Sequence, residues 1–406
     1  MKVDVAVVGG GPAGLAAAVA IRRRERGARV VVIERDDDVG GIARYSDHTG
    51  YGMRDLHRVM SGPAYARHYA TKAERAGVDV WTNSTVTGWS GSALEVTRPH
   101  GAEVIEATAV VLATGCRERP RSARLVPGSR PAGVFTTGSL QRLVARHATI
   151  GTRAVVVGAE HVSMSAVMTL AHAGVRTAAV VTELDKPNTY WGYRLPSVVR
   201  HRVPIETSVS VAEITGRGRV ESVRLSDGRT IECDTVVFTG DWIPEHELAR
   251  RAAVDMDRGT RGPAVDAALR TSRPGVFAVG NLLHAAETAD VCALDGRHVA
   301  GAVSAWLAGA PWPERSVALR VDPPLAWVSP SVIAGGVTPP RRRVLLRTAE
   351  FITDAHLSVT QGTRVLWSGT PRGRGAPSTA LSIPSTWLGD VDPTGGAVSI
   401  QVSDLR

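Results

Sequence analysis

The sequence predicts an α/β chain of two Rossmann-like domains, one inserted in the other, followed by a small C-terminal all-β domain. Three observations predict it. An apolar run at the N-terminus leads through a glycine-rich turn into an alanine- and arginine-rich stretch. The same order recurs after Arg153. Beyond Trp306 the texture changes to prolines and short β-branched segments.

The first unit starts at Val3–Val8, which is almost wholly apolar, as a strand buried on both faces of a parallel sheet should be. Gly9-Gly10-Gly11-Pro12-Ala13-Gly14 makes the turn. Leu15–Arg26 reads as a helix, Gly27 ends it, and Ala28–Ile33 reads as a second buried strand closed by Glu34. That completes a βαβ unit. The second unit has a strand at Ala154–Val157, a turn at Gly158, a helix near Val162–Ala173 and a strand at Arg176–Thr182, before Glu183. Between the two units, Gly77–Glu106 reads as a β-meander. Strands at Ala109–Leu112, Thr235–Phe238 and Val276–Val279 each run into a glycine turn, and Gly296–Leu307 reads as the closing helix. The expected division is 1–125 and 245–312 for the first domain, 126–244 for the inserted domain, and 313–406 for a linker and the β domain.

Composition narrows the function. With 406 residues, 43% of them hydrophobic and 21% charged, the chain is of globular type and long enough for two or three domains. No apolar run is long enough for a membrane span, and the first residues lack a small-residue cleavage site, so a cytoplasmic location is expected. The net charge of +9 is spread along the chain. The short clusters Arg22–Arg24 and Arg341–Arg343 lack the interleaved aromatics of a single-strand binder, so no nucleic-acid partner is expected. The 3 cysteines, Cys116, Cys233 and Cys292, are far apart. That spacing argues against a zinc site, an iron–sulfur cluster and a redox-active dithiol, and no metal is expected.

The motif Gly9-x-Gly11-x-x-Gly14 carries the chemistry. Gly9 permits the tight turn, Gly11 lets the backbone approach a diphosphate, and Gly14 brings helix and strand close. The diphosphate would lie at the helix N-terminus, over Pro12 and Ala13. Glu34, beside Arg35, can accept both hydroxyls of an adenosine ribose and would repel a 2′-phosphate.

With Gly40-Gly41, Ala113-Thr114-Gly115, Thr239-Gly240 and Gly280-Asn281, this pattern resembles the FAD-dependent pyridine nucleotide–disulfide oxidoreductase superfamily over about residues 1–310. The resemblance implies two FAD/NAD(P)-binding domains, with FAD in the first and NAD(P)H in the second. It places Gly41, Ala113, Thr114, Gly115, Gly280 and Asn281 around the FAD, Asn281 standing where an aspartate usually holds the ribityl chain. A narrower resemblance lies in Ala113–Arg121 and Gly62-Pro63-Ala64-Tyr65-Ala66. Both look like the FAD subunits of hydrogen cyanide synthase, opine oxidase and dye-linked proline dehydrogenase. Such subunits work beside a second flavoprotein on an amine or amino acid, and many end in an iron–sulfur segment. No cysteine follows Cys292 here, so any cluster would belong to a separate polypeptide.

The second motif, Gly158-Ala159-Glu160-His161-Val162-Ser163, departs from the pattern. Glu160 stands at the middle glycine and Ser163 at the last. A carboxylate about 4 Å from a phosphate is opposed by ~1 kcal/mol in water and ~4 kcal/mol in partly screened protein. Glu183 would still favour a plain ribose, so NAD(H) use is left open. Candidate catalytic side chains are Arg54, His57, His284 and Glu287, and a helix start near Thr288 would aim its N–H groups at the flavin's pyrimidine edge. The plainer reading of each histidine is an ordinary core or surface imidazole.

These readings converge on an FAD-dependent dehydrogenase or electron-transfer protein. It would move reducing equivalents between a small-molecule donor of the amine or amino-acid class, or NADH, and a partner acceptor. A self-contained NAD(P)H-dependent reductase is one alternative. A flavin-binding assembly protein with a non-catalytic second domain is another.

Overall fold

A computed structural model describes residues 1–314 and 316–404. Contacts within it divide the chain into two units: residues 1–44, 50–116 and 244–406, and residues 45–49 and 117–243.

In the first unit, strands Asp79–Trp81, Val30–Ile33, Lys2–Val8, Gly101–Leu112 and Val276–Ala278 lie side by side in that order, all parallel. Their β-branched and alanine side chains are buried on both faces, which is why the sequence runs apolar rather than alternating. The expected meander is part of the same sheet. The strand Gly101–Leu112 starts eight residues before the expected Ala109, and its outer part pairs antiparallel with Ala93–Arg98, which pairs with Thr85–Ser90.

Helix Pro12–Arg24 packs against helix Ala289–Leu307. The latter starts seven residues before the expected Gly296, because its first two turns bury Val291, Cys292, Ala293 and Asp295. The two helices approach as closely as backbone allows. A Cβ on Gly296 would collide with the Ala13 carbonyl, and one on Gly14 with the Gly9 carbonyl.

The C-terminal part of this unit is all-β. A five-stranded sheet runs Val332–Ile333, Val317–Val321, Val398–Asp404, His356–Gln361, Arg364–Gly369. A three-stranded sheet runs Leu325–Ser329, Arg343–Thr348, Leu381–Pro384. Val344, Leu346, Leu357, Val359, Ile383, Trp387 and Ile400 form a core of their own here.

The second unit repeats the parallel scheme. Strands Val134–Thr136, Thr235–Phe238, Arg153–Val157, Arg176–Val181 and Ile205–Glu206 form its sheet. Helices Thr137–Ala145 and His161–His172 cover it, and Leu140, Val156, Met164, Val167 and Leu170 fill the space between. A three-stranded antiparallel sheet, Val211–Thr215, Ser222–Leu225 and Thr230–Glu232, completes the unit.

Candidate functional site

In each parallel sheet one central strand, Lys2–Val8 or Arg153–Val157, passes into a helix over a glycine turn, and the two turns differ in what fills them. In the first unit, Gly9 has φ +106°, a conformation that favours glycine. Gly11 is the N-cap of helix Pro12–Arg24, with no side-chain cap and no acid in the first turn. The nearest atom to the place of a Gly11 Cβ is the Cα of Gly41, at 4.0 Å. Gly40 N–H donates to the Gly10 carbonyl at 2.7 Å and holds the two glycine segments together. The result is a backbone-lined cradle at the positive end of a helix. A diphosphate fits it, because no side chain caps that helix end and no acid lies in its first turn.

Buried Glu34 stands at the end of the second strand. It accepts the Gly10 N–H at 2.7 Å and the Asp36 N–H at 2.9 Å. Each oxygen keeps a further lone pair for a ribose hydroxyl. Exposed Arg35 reaches toward Glu245 at 3.9 Å. Thr114 Oγ1 donates to the Glu245 carbonyl at 2.7 Å, and Glu245 N–H donates to the Gly115 carbonyl. A Cβ on Gly280 would meet the Ala13 Cβ at 2.7 Å, so the last glycine motif seats directly on the start of the first helix.

Around that motif two of the expected site residues already have partners within the fold. The Asn281 amide is engaged by its own loop: Nδ2 donates to the Glu287 carbonyl at 3.1 Å, and Oδ1 accepts the Glu287 N–H at 2.7 Å. It pins the loop first and has only its remaining donor and lone pair for a ribityl hydroxyl. The helix start at Thr288 is filled by buried Asp290, whose Oδ1 accepts from Val291 N–H and from the Thr288 hydroxyl. Its Oδ2 accepts the Arg54 N–H at 3.0 Å, and the Arg54 guanidinium donates to Thr288 Oγ1 at 2.9 Å. That helix end is therefore already neutralised.

The four candidate catalytic side chains separate. Arg54 braces Thr288 and Asp290. His57 is exposed, with φ +53°. His284 is buried, 3.2 Å from Asp295 and stacked on Trp327. Glu287 is paired at 3.1 Å with Arg347, which also donates to the Ala285 carbonyl at 2.6 Å and lies over the Trp327 ring.

Sequence reading missed Arg347 and Trp327, which come from the C-terminal β part. It also missed Asp55, which lies beside Arg54. Asp55 Oδ2 accepts from the Tyr69 hydroxyl at 2.6 Å and the Tyr65 hydroxyl at 2.9 Å, and Arg297 donates to the Tyr69 oxygen at 2.6 Å. Burial first, then Tyr69 in the case of Tyr65, and the Asp55 carboxylate for both, push the two phenols above their ordinary range. Tyr65 belongs to the segment Gly62–Ala66, where a signal was visible without its role.

In the second unit the cradle holds a protein carboxyl. Gly158 has φ +126°, and Glu160 is the N-cap of helix His161–His172. A Cβ on Gly158 would lie 2.8 Å from Glu160 Oε2, and one on Gly240 would lie 3.3 Å from its Cδ. The carboxyl is thus folded between the two glycine turns. Ser163 Oγ and Thr239 Oγ1 are 2.6 Å apart beside it. Burial raises the Glu160 pKa, against the hydroxyls of Thr239 and Ser163 and the charge of Arg124, which favour ionisation. Glu118 is buried and raised for the same first reason, and the Glu160 charge adds to it. Arg124 donates to the carbonyls of Thr239 and Gly240 at 2.8 and 2.7 Å. Glu183 is exposed beyond the end of the next strand.

No disulfide joins Cys116, Cys233 and Cys292. Cys292 is buried, which raises its pKa, and the charges of Asp295, Glu287 and Cys116 raise it further. No group of histidine, cysteine or acidic side chains among the described residues is arranged to hold a metal. No helix there is long and apolar enough to cross a membrane.

A family model described as pyridine nucleotide-disulphide oxidoreductase matches residues 3–296. An opine oxidase chain of Rhizobium meliloti is 28% identical over 386 residues, covering 86% of this chain and 68% of that protein. The ferredoxin reductase component of chlorobenzene dioxygenase from Cupriavidus sp. (strain PS12) is 28% identical over 293 residues, covering 69% of this chain and 67% of that protein. Among solved structures, T. acidophilum thioredoxin reductase superimposes with a TM-score of 0.61 at 21% identity, over 74% of this chain and 97% of that one. L-proline dehydrogenase from P. horikoshii gives 0.57 at 19% identity, over 75% and 55%.

The Glu160 carboxyl sets a pH dependence. Its pKa is raised in the fold, so the folded state holds a proton that the unfolded state has lost. Stability is then highest below the ordinary glutamate pKa of 4.5 and falls as pH rises through the folded value. Urea midpoints of wild type and Glu160→Gln, measured at rising pH from that point, should diverge, with the variant losing less. Parallel profiles would show that Glu160 titrates as it does in the unfolded chain.

Proposed function

This chain belongs to the pyridine nucleotide-disulphide oxidoreductase family, and on that premise we propose how it uses its two cradles. It is an FAD-dependent oxidoreductase of the electron-transfer type. In our reading FAD lies with its diphosphate over Gly9–Gly14 and its adenosine ribose at Glu34. Arg35, Gly41, Ala113–Gly115, Gly280, Asn281 and Thr288 border it. The flavin supplies the redox chemistry, and the protein positions it and sets its electrostatic surroundings. The division at 125/126, 244/245 and 312/313 belongs to the same proposal, and the separate core of the β part supports the last boundary.

The observation that carries the reading is the contrast between the cradles. The first presents bare backbone at a helix N-terminus. The second holds the Glu160 carboxyl where a nicotinamide dinucleotide would place its phosphates. Reducing equivalents then enter from an organic donor of the amine or amino-acid class and leave to a partner flavoprotein or iron–sulfur protein. The match over 86% of the chain to a protein named for opine oxidation supports that donor class. The matches to ferredoxin reductase components favour the second reading, in which NADH is the donor. We place the protein in the cytoplasm, which the lack of a disulfide among its three cysteines supports. We also exclude disulfide reduction through a dithiol, since no two cysteines are close in sequence.

Three experiments test this. Purified protein should release FAD rather than FMN, and Gly11→Asp, which puts a carboxylate in the open cradle, should lose most of its flavin; full occupancy in that variant would move the diphosphate elsewhere. Replacing Cys116, Cys233 and Cys292 together should leave flavin reduction by the physiological donor largely intact, and its loss in a folded, FAD-loaded protein would install a thiol relay. In anaerobic stopped flow, NADH should reduce wild type slowly and Glu160→Gly faster and at lower concentration. A gain of about fivefold or more corresponds to removing ~1–4 kcal/mol of repulsion. Rapid, saturable reduction of wild type at micromolar NADH would instead establish the self-contained reductase.

A further inference from the structure

In the second unit the chain between strands Arg176–Val181 and Ile205–Glu206 forms a helical turn, Trp191–Arg194, continued by a wider turn, Leu195–Val199. Trp191, Leu195 and Val199 recur every four residues and so share one side of it. All three face solvent, at 61%, 52% and 41% exposure, and Tyr190 beside them is 41% exposed. Other large apolar side chains exposed among the described residues are scattered along the chain. Behind the ridge opens a cleft of about 470 Å³, walled by Val198, Val199, Val203 and Ile205 and flanked by Arg194 and Arg202. Between Lys186 and Ile205 the chain carries Lys186, Arg194, Arg200 and Arg202 and no acid.

A contiguous apolar ridge costs solubility unless something covers it. A second copy is a poor cover, because it would bring the same cations face to face. A protein partner would need both an acidic rim and a concavity cut to a projecting indole. A bilayer needs neither, since lipids adapt to the shape that enters them. Tryptophan and tyrosine settle at the membrane–water interface, and a helical segment with an apolar side and an arginine-rich flank lies in its plane. Cations near an anionic leaflet are drawn to it within a Debye length.

We propose that the ridge Tyr190–Val199 is a peripheral docking surface for an anionic lipid bilayer. Trp191, Leu195 and Val199 enter the boundary between headgroups and acyl chains. Arg194, Arg200 and Arg202 hold lipid phosphates. The inference stands on the second unit's own surface and does not depend on which donor reduces the flavin.

The test is cosedimentation of the whole FAD-loaded protein with phosphatidylcholine vesicles, with and without phosphatidylglycerol. Wild type should bind the mixed vesicles and not the neutral ones, with binding weakened by salt. Trp191→Ser with Leu195→Ser should lower binding at least about tenfold, the effect of taking two large apolar side chains out of the interface. Arg200→Gln with Arg202→Gln should lower it as well. Arg23→Gln with Arg24→Gln, an exposed pair in the other unit, should bind as wild type does. Flavin absorbance and the urea midpoint confirm that each variant is folded. Three results would overturn the proposal: no binding to mixed vesicles, equal loss in the Arg23/Arg24 variant, or a ridge variant that binds normally. A concentration-dependent dimer in light scattering, abolished by the ridge variant, would assign the surface to a second copy instead.

Discussion

The structure depends on what sits at a helix N-terminus when a buried parallel strand delivers the chain to it. Such an end carries N–H groups with no partner in the helix and a partial positive charge. The protein can leave that end bare for an anion or fill it from its own sequence. At the first cradle it does the former. Glycines at positions 9, 11, 14 and 41 keep side chains out, and Gly14 and Gly296 let helix Pro12–Arg24 sit hard against its strand turn on one side and helix Ala289–Leu307 on the other. The same lack of side chains that opens the cradle makes the close packing behind it.

At the second cradle the protein supplies its own anion. Replacing the middle glycine by glutamate adds more than bulk, because the carboxyl folds back between Gly158 and Gly240 beside the hydroxyls of Ser163 and Thr239. Burying a carboxylate is costly, and the raised pKa of Glu160 is the measure of that cost. Arg124 and the hydroxyls offset part of it. A dinucleotide entering here would have to displace a group that already satisfies the helix end. The start of helix Ala289–Leu307 uses the same device, with Asp290 in the role of the anion.

The C-terminal β part contributes to the loop that follows the last glycine motif. Buried Arg347 joins the Ala285 carbonyl to the Glu287 carboxylate and rests on Trp327, which in turn stacks on His284. A buried ion pair of this kind adds little net stability, since desolvation offsets most of its attraction. Breaking it, however, leaves an unpaired charge in the interior. The loop 281–288 is thereby held in one arrangement from two directions, by the Asn281 amide from within and by Arg347 from the β part.

The sequence by itself determined the two nucleotide-type units, the strands and glycine turns that build them, the acid at Glu34 and the anomaly at Glu160. Each of these is a local matter: a run of apolar residues, a missing side chain, a charge at a numbered place after a strand. The sequence left helix Ala289–Leu307 short by seven residues, because its first turns lack the simple periodic pattern of an amphipathic helix. Only the tertiary structure decided what the polar side chains do. Asn281 and Arg54 are spent on bracing a loop and a helix end, His284 is sealed beneath Trp327, and Asp55 gathers Tyr65 and Tyr69 from helix Gly62–Arg75 and Arg297 from helix Ala289–Leu307. Partners drawn from distant positions leave no spacing to read, and whether a charged group is catalytic or structural depends on which of those partners reaches it first.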